Sequence, residues 1–420
     1  MRLPDIYNRF GWNHGVGRGS TLTEKIILYG TGLEGEKFYC KYSCDFHIVY
    51  CLDQRRRQKF HNKEVFRLEE KIEEINKYHI MIAAGFPAYK EIRKHLIDIG
   101  LKEYRDFTHT YAIGKKIAFI YGNCHMGALS VYLNLNYEFY KQYYLKLYSI
   151  TEDGSPTQDE LEYCDLLITQ DIRKDNNLGK ASCQELIAKH TVGTNIVVPN
   201  IYGCNMFFPQ INYAFCPFDN TSRIAYMDRH LNSEAIDAES LNEPGKTSAQ
   251  NFTQMTRGRG DAYIDTKFYE GASIEEIKKD ILEKQIWTAT EIQSNFDTEL
   301  NKIKSREKDC DFIISDIIEN YYQKRRLFFS PSHPTGFVTQ IKGIRILEIL
   351  GLESEKIDFD NGLGADELPI YGCVKRALGL QFEQKILRKN SQWTLGNQPE
   401  TLSEYIENYI RWVWGGDADK

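Results

Sequence analysis

At 420 residues, with 42% hydrophobic and 27% charged side chains, the chain is too long for one ordinary core and too apolar for disorder. About two or three domains are expected at roughly 150 residues each. A formal net charge of −6 gives no pull toward nucleic acid or anionic lipid, so any phosphate-bearing ligand needs a local site. No stretch approaches a membrane-spanning apolar run, and a cytoplasmic protein with no integral membrane segment is expected. The ten cysteines are scattered, so reduced thiols are expected. Cys40, Cys44 and Cys51 lack a CxxC pair or a matching histidine cluster, and no metal is expected.

Residues 1–22 carry no periodicity and read as a tail. Lys25 to Tyr29 is a short buried-strand pattern that runs into Gly30-x-Gly32-x-x-Gly35 and then a helix through Tyr42. Strands follow at His47–Leu52, ending at Asp53, and at His79–Ala84, ending at Gly85 before a helix from Ala88 to Gly100. This repeated strand-helix alternation predicts a parallel sheet flanked by helices over 23–113. Glycines in such a turn let backbone approach a pyrophosphate, and a carboxylate such as Asp53 suits a ribose diol. Gly30, Gly32, Gly35 and Asp53 are therefore the nucleotide-binding candidates.

The polar stretch Thr108–Lys116 marks a boundary, and a second strand, turn and helix starts at Ile117–Tyr121, Gly122-Asn123-Cys124-His125 and Met126–Leu133. Further strands are predicted at Leu166–Thr169 and Ile196–Val198. From Ser273 the pattern turns helical, with Ser273 and Glu276 forming a capping-box signature and Ile274, Ile277 and Ile281 at helix spacing. Pro331 to Gly336 precedes another apolar helix through Leu350, and Tyr405–Trp414 reads as helix. The fold class is thus α/β: two consecutive α/β domains with parallel sheets, 23–113 and 114–355, a helical insert, and a helical C-terminal extension over 356–420. Trp412 and Trp414 in that extension suggest a homodimer.

Cys124 follows a buried strand and opens a helix, where the macrodipole favours thiolate over thiol. A small apolar residue packing a tight turn is the bland alternative. Gly122 and Gly127 leave backbone space, and the Asn123 side-chain amide could meet a developing oxyanion. A thiolate needs a base, and His333, in a Ser-Pro-His-Pro turn before a helix, has the distinctive setting; a histidine satisfying backbone groups there is the alternative. His125 points away from the neighbouring sulfur on helical geometry, yet could contact ligand. Arg257 and Arg259, and Lys324, Arg325 and Arg326, could fork onto phosphates, or could be solvated charge.

Gly122-Asn123-Cys124-His125, Thr169–Arg173, Val198–Tyr202, Asp265 and Gly271 ahead of Ser273, and Leu327 through Thr335 occur in an order that resembles the WcbI-type acetyltransferase family of polysaccharide biosynthesis, over about 115–355. The resemblance implies a coenzyme A-binding enzyme that acetylates a sugar of a capsular polysaccharide. It makes Cys124 and His333 the central pair and places Gln170 and Asn200 in the pocket, with His125 where the family carries Gln. Residues 24 to about 110 resemble the N-terminal nucleotide-sugar-binding domain of bacterial sugar O-acyltransferases, which implies a nucleotide-linked sugar or a structural role. The cysteine turn also looks like the serine block of SGNH hydrolases, but Ser330 stands three residues before His333 where those enzymes have Asp, leaving Asp171 and Asp228 as candidate orienters.

The expected function is acyl transfer, acetyl above all, from acetyl-coenzyme A to a sugar or glycan hydroxyl. A thiol-dependent esterase or deacetylase on a glycan is the second reading. A non-catalytic nucleotide-sugar-binding scaffold subunit is the third.

Overall fold

The computed structural model describes residues 24–55, 58–150, 154–174, 180–201, 205–212, 260–354, 357, 359–364, 366–388 and 400–414. The expected tail and the candidates Arg257, Arg259 and Asp228 lie outside them, as do the side chains of Trp412 and Trp414. Two compact units make up the chain, Met1–Met126 with Leu133–Ile196 and Gly127–Tyr132 with Val197–Lys420.

The first unit opens with β1 (Glu24–Tyr29), α1 (Leu33–Tyr42), β2 (Phe46–Leu52), β3 (Lys59–Phe60), β4 (Lys63–Phe66), β5 (His79–Ile82), α2 (Phe86–Asp98) and β6 (Phe107–His109). The strands lie in the order β3-β4-β2-β1-β5-β6, parallel except for the β3–β4 hairpin. Alternate residues of β1 go to opposite faces, as strand geometry demands. Ile27 and Tyr29 join Ile80 and Leu96, while Ile26 and Leu28 join Phe38 and Phe46. Burial on both faces is why this strand reads as a continuous apolar run. Strand β6 takes Thr108 and His109 out of the polar stretch expected to separate the domains. Its pairing with β5 overrides its local polarity.

A second sheet holds β7 (Lys116–Gly122), β8 (Tyr143–Ser149), β9 (Leu166–Gln170) and β10 (Thr194–Val198), with α3 (Cys124–Leu135) after β7 and α4 (Cys183–Lys189) after β9. The order is β10-β9-β7-β8, with β8 and β9 both parallel to β7. Strand order reverses between β7 and β9, and in open parallel sheets the crevice outside the carboxyl ends at such a point is where ligands bind. Gly122 and Gln170 end those two strands.

The two sheets of this unit are clasped by buried charge. Arg93 Nε lies 2.6 Å from Glu103 Oε2 and its Nη2 3.0 Å from Glu160 Oε1. Lys146 Nζ bridges the same carboxylates at 2.7 and 3.0 Å. The hydroxyls of Tyr89 and Tyr148 donate to Glu103 and Glu160 respectively.

The second unit carries β11 (Ile211–Asn212), β12 (Gly260–Asp261), α5 (Ala262–Tyr269), α6 (Ile274–Glu283), α7 (Ala289–Arg306), α8 (Ser315–Tyr321), β13 (Phe328–Ser330), β14 (His333–Pro334), α9 (Gly336–Ile349), β15 (Asp366–Glu367), α10 (Gly372–Ala377), β16 (Leu387–Arg388) and α11 (Leu402–Trp414). The predicted capping box is present: Ser273 N–H donates to Glu276 Oε2 at 2.8 Å, and Glu276 N–H to Ser273 Oγ at 3.3 Å. Helices expected as an insert and an extension supply the core itself, with Ile277, Ile281, Phe296, Val338, Ile406 and Ile410 in one cluster. The last helix is anchored by a hydroxyl. Tyr409 accepts from Asp261 N–H at 2.8 Å and donates to Asp265 Oδ2 at 2.9 Å. Asp261 caps α5 through Ile264 N–H and accepts from the Tyr371 hydroxyl at 2.7 Å; burial pushes its carboxyl up to about 7. Among the described residues no helix is long and apolar enough to cross a membrane.

Candidate active site

The carboxyl edge of the second sheet gathers four of the expected residues. Gly122 closes β7 where a Cβ would fall 2.4 Å from Met126 Cγ, 2.7 Å from Gln170 Oε1 and 2.9 Å from Gln170 Cβ. Only hydrogen fits there. Asn123 is extended and caps α3, its Oδ1 accepting the His125 N–H at 3.0 Å. That oxygen is committed to the cap, so the part of the side chain left to donate is Nδ2. The Asn123 backbone N–H goes to Gln170 Oε1 at 3.1 Å. Cys124 is thereby the first residue of a twelve-residue helix, and it is exposed. Helix-terminal partial positive charge stabilises a thiolate at this position.

His125 is buried on the body of the helix, and Gln170 is buried beneath the turn. Asp171 follows β9 and lies 3.9 Å from the Cys183 sulfur. Burial, with Asp171 adding to it, pushes the Cys183 thiol up to about 11, which keeps it protonated and unreactive at neutral pH.

In the second unit His333 opens β14 and pairs across the hairpin with Ser330, half-buried. Thr335 N–H closes that hairpin on Leu327 O at 2.9 Å. Asn361, which no sequence pattern singles out, pins the next residue: its Nδ2 donates to Pro334 O at 2.8 Å and to Thr339 Oγ1 at 3.0 Å. Asn200 follows Pro199, whose carbonyl accepts from the buried ammonium of Lys342 at 3.0 Å. Lys342 was equally unforeseen, since nothing in a helical pattern marks an inward lysine.

Of the basic candidates, Arg325 is exposed with its guanidinium 4.3 Å from the centre of the Phe337 ring. Arg326 is corrected to a structural role. It donates to the carbonyls of Phe328, Lys385, Phe329 and Leu368 at 2.6–3.1 Å, and burial lowers its pKa to about 10 against the opposing pull of Glu367. Those donors have no reach left for a phosphate.

In the first sheet, Gly30 has φ +110° and a Cβ there would meet Ala83 O at 2.3 Å, while a Cβ on Gly35 would meet Gly30 O at 2.3 Å. Gly32 faces open space. Asp53 braces this turn from below: Oδ2 accepts from Thr31 N–H at 2.8 Å and Thr31 Oγ1 at 2.6 Å, and Oδ1 accepts from Arg55 N–H at 2.8 Å. Glu34 and Glu36 in the first turn of α1 add negative charge where a phosphate would sit. Asp53→Ala is expected to lower the unfolding free energy by about 1–3 kcal/mol, because buried donors on Thr31 lose their acceptor. An unchanged urea midpoint would show that the carboxylate carries no such load.

Residues 260–355 match the family described as polysaccharide biosynthesis enzyme WcbI, a segment that runs from β12 past α9 and contains His333. A solved structure described as WcbI, a novel polysaccharide biosynthesis enzyme, in a native form without a disulfide bond between coenzyme A and one of its cysteines, is similar at 16% identity and a TM-score of 0.49, covering 73% of this chain and 92% of that one. No curated protein matches the chain. The family match does not extend to the first unit's glycine turn.

Proposed function

We propose that the protein transfers an acyl group, acetyl above all, from acetyl-coenzyme A to a sugar hydroxyl during surface-polysaccharide biosynthesis, with Cys124 as its thiol and His333 as its proton-transfer group. The observation that carries the reading is an exposed sulfur at the first position of a long helix, at the strand-order reversal of a parallel sheet. The likeness of residues 260–355 to a polysaccharide biosynthesis enzyme supplies the substrate class. On this reading 114–355 is the transferase segment, 23–113 an accessory nucleotide-binding or structural domain, and the protein works in the cytoplasm on a glycan acceptor.

Two routes fit these residues. In the covalent one the thiolate attacks the thioester carbonyl, the bond from that carbon to the coenzyme A sulfur breaks, and coenzyme A leaves as the thiol after taking up a proton. The sugar hydroxyl then attacks the S-acyl carbon, His333 takes the hydroxyl proton, and the Cys124 thiolate departs. In the direct one His333 removes the hydroxyl proton as the sugar oxygen attacks the thioester carbonyl, Cys124 shapes the place where the oxyanion forms, and the carbon–sulfur bond then breaks so that coenzyme A leaves as the thiol with the proton His333 returns.

Intact-mass measurement with acetyl-coenzyme A tests the proposal. An acetyl adduct on the native protein that is lost in Cys124→Ala supports the covalent route, and its absence under turnover favours the direct one; on either route the transfer rate of Cys124→Ala falls by about a thousand-fold or more. Full turnover by Cys124→Ala would overturn the thiol assignment. Release of acetate from an acetylated glycan without coenzyme A would favour the esterase.

A further inference from the structure

We propose that Gln170 is a positioning residue for Cys124: its carboxamide oxygen fixes the peptide that sets where the thiol stands. The proposal rests on the reading of Cys124 as the reactive group. Gln170 is the last residue of β9, 1% exposed, and neighbours the end of β7 in the parallel register that pairs Thr169 with Tyr121. A longer residue at position 122 would exclude it, since a Cβ there would lie 2.7 Å from Oε1. The glutamine therefore lies flat against the glycine, and its Oε1 reaches one residue further to accept the Asn123 N–H at 3.1 Å.

Asn123 is the hinge of the turn. Its extended dihedrals, φ −84° and ψ −166°, decide the direction in which α3 departs and so where Cys124 is presented. Three hydrogen bonds hold that residue: Gln170 on its N–H, His125 N–H on its side chain, and Met126 N–H on its carbonyl at 2.9 Å. The latter two come from the helix itself and move with it. Gln170 alone among the three ties the turn to the sheet. The same bond removes the Asn123 N–H from the donors that could meet an acyl oxygen, which leaves stabilisation of an oxyanion to other groups.

The measurement is the pH profile of Cys124 alkylation by iodoacetamide, read at the level of the Cys124 peptide by mass spectrometry because Cys40 and Cys44 are also exposed. Gln170→Met keeps the length and loses the acceptor, whereas Gln170→Glu keeps an acceptor and adds negative charge. The methionine variant is expected to cut the limiting rate constant by about 10- to 100-fold, as a misplaced reacting atom does. The glutamate variant is expected to keep the limiting rate and to move the pH midpoint upward, since a nearby anion disfavours thiolate.

Native rate and midpoint in folded Gln170→Met overturn the proposal. So does a limiting rate in Gln170→Glu as low as that of a folded methionine variant. Should the methionine variant not fold, the glutamate variant decides alone: a limiting rate within about two-fold of native supports positioning through the N–H acceptor, and a larger loss refutes it. No acyl donor is present in this assay. If Cys124→Ala still transfers acetyl, the functional reading falls while the positioning result stands.

Discussion

Glu103→Ala should cost about 3–5 kcal/mol of unfolding free energy, visible as a large fall in the urea midpoint. Removing one member of a buried ion cluster strands the others. Arg93 and Lys146 both lie against the Glu103 carboxylate, and without it the two cations share Glu160. The Glu103 side chain is only 2% exposed, so solvent screening gives no relief. Acid should act through the same cluster. Burial pushes both carboxyls up, but Lys146 and its neighbours outweigh it, and Glu160 ends at about 2 with Glu103 also lowered. A carboxyl held below its unfolded value stabilises the fold above that value and loses the contribution as protons bind. The native protein is therefore expected to weaken from about pH 4.5 downward, and Glu103→Ala to show a shallower acid slope. Equal slopes in a denaturation series from pH 5 to pH 2 would remove the clasp from the account.

The second large effect is expected at Gly122. A methyl group there meets a flexible atom, Met126 Cγ, which can yield, and an anchored one, Gln170 Cβ at 2.9 Å, which cannot without moving β9. Gly122→Ala should cost about 1–3 kcal/mol as overpacking does. It should also slow Cys124 alkylation by about 10-fold or more, because the glutamine is driven off the Asn123 N–H. Gly32→Ala is the control for the clash: a Cβ there meets nothing, so the change should leave Cys124 alkylation at its native rate and cost only the about 0.5–1 kcal/mol of a poorer N-cap on α1. Similar losses in both variants would show that clash geometry is not what sets the requirement for glycine.

Much of the architecture was legible because burial on two faces writes itself as apolar runs. Ile26 to Tyr29, Ile80 to Ile82 and Ile117 to Tyr121 could be read as strands, and the turns after them carry glycine or asparagine. Strand β8 was missed. Its residues Tyr143 to Ser149 mix tyrosines and leucines with one lysine, and Lys146 faces inward only because Glu103 and Glu160 meet it. Those partners lie far off in sequence, and no local pattern announces them.

The site divides in the same way. Cys124 was legible from its own turn, since a helix start after a buried strand has only a few outcomes. Asp53 was given a ligand role from its spacing after the glycine turn, and in the fold its oxygens serve that turn; Asn123 was expected to offer its amide, and its Oδ1 serves the cap while Nδ2 is the part left to donate. The same chemistry that would bind a substrate also binds backbone, and sequence does not tell which donor arrives first. Arg326 was misread for that reason: four carbonyls from β13 and the loops beyond it reach the guanidinium. Trp412 and Trp414 read as a surface for another copy, and their side chains lie outside the described residues. Tyr405 and Tyr409 of the same helix belong to the core, and the acids that meet the Tyr409 hydroxyl stand some 140 positions earlier.

That long-range closure bears on how the chain is made. Asp261 and Asp265 sit at the beginning of the second unit's described helices, and the hydroxyl that joins them arrives with the final one. During synthesis the earlier helices must wait, with Ile277 and Ile281 uncovered, until residues 402–410 have emerged. A ribosome stalled short of that point would release a product with an open hydrophobic seam, suited to chaperones and proteases and not to work.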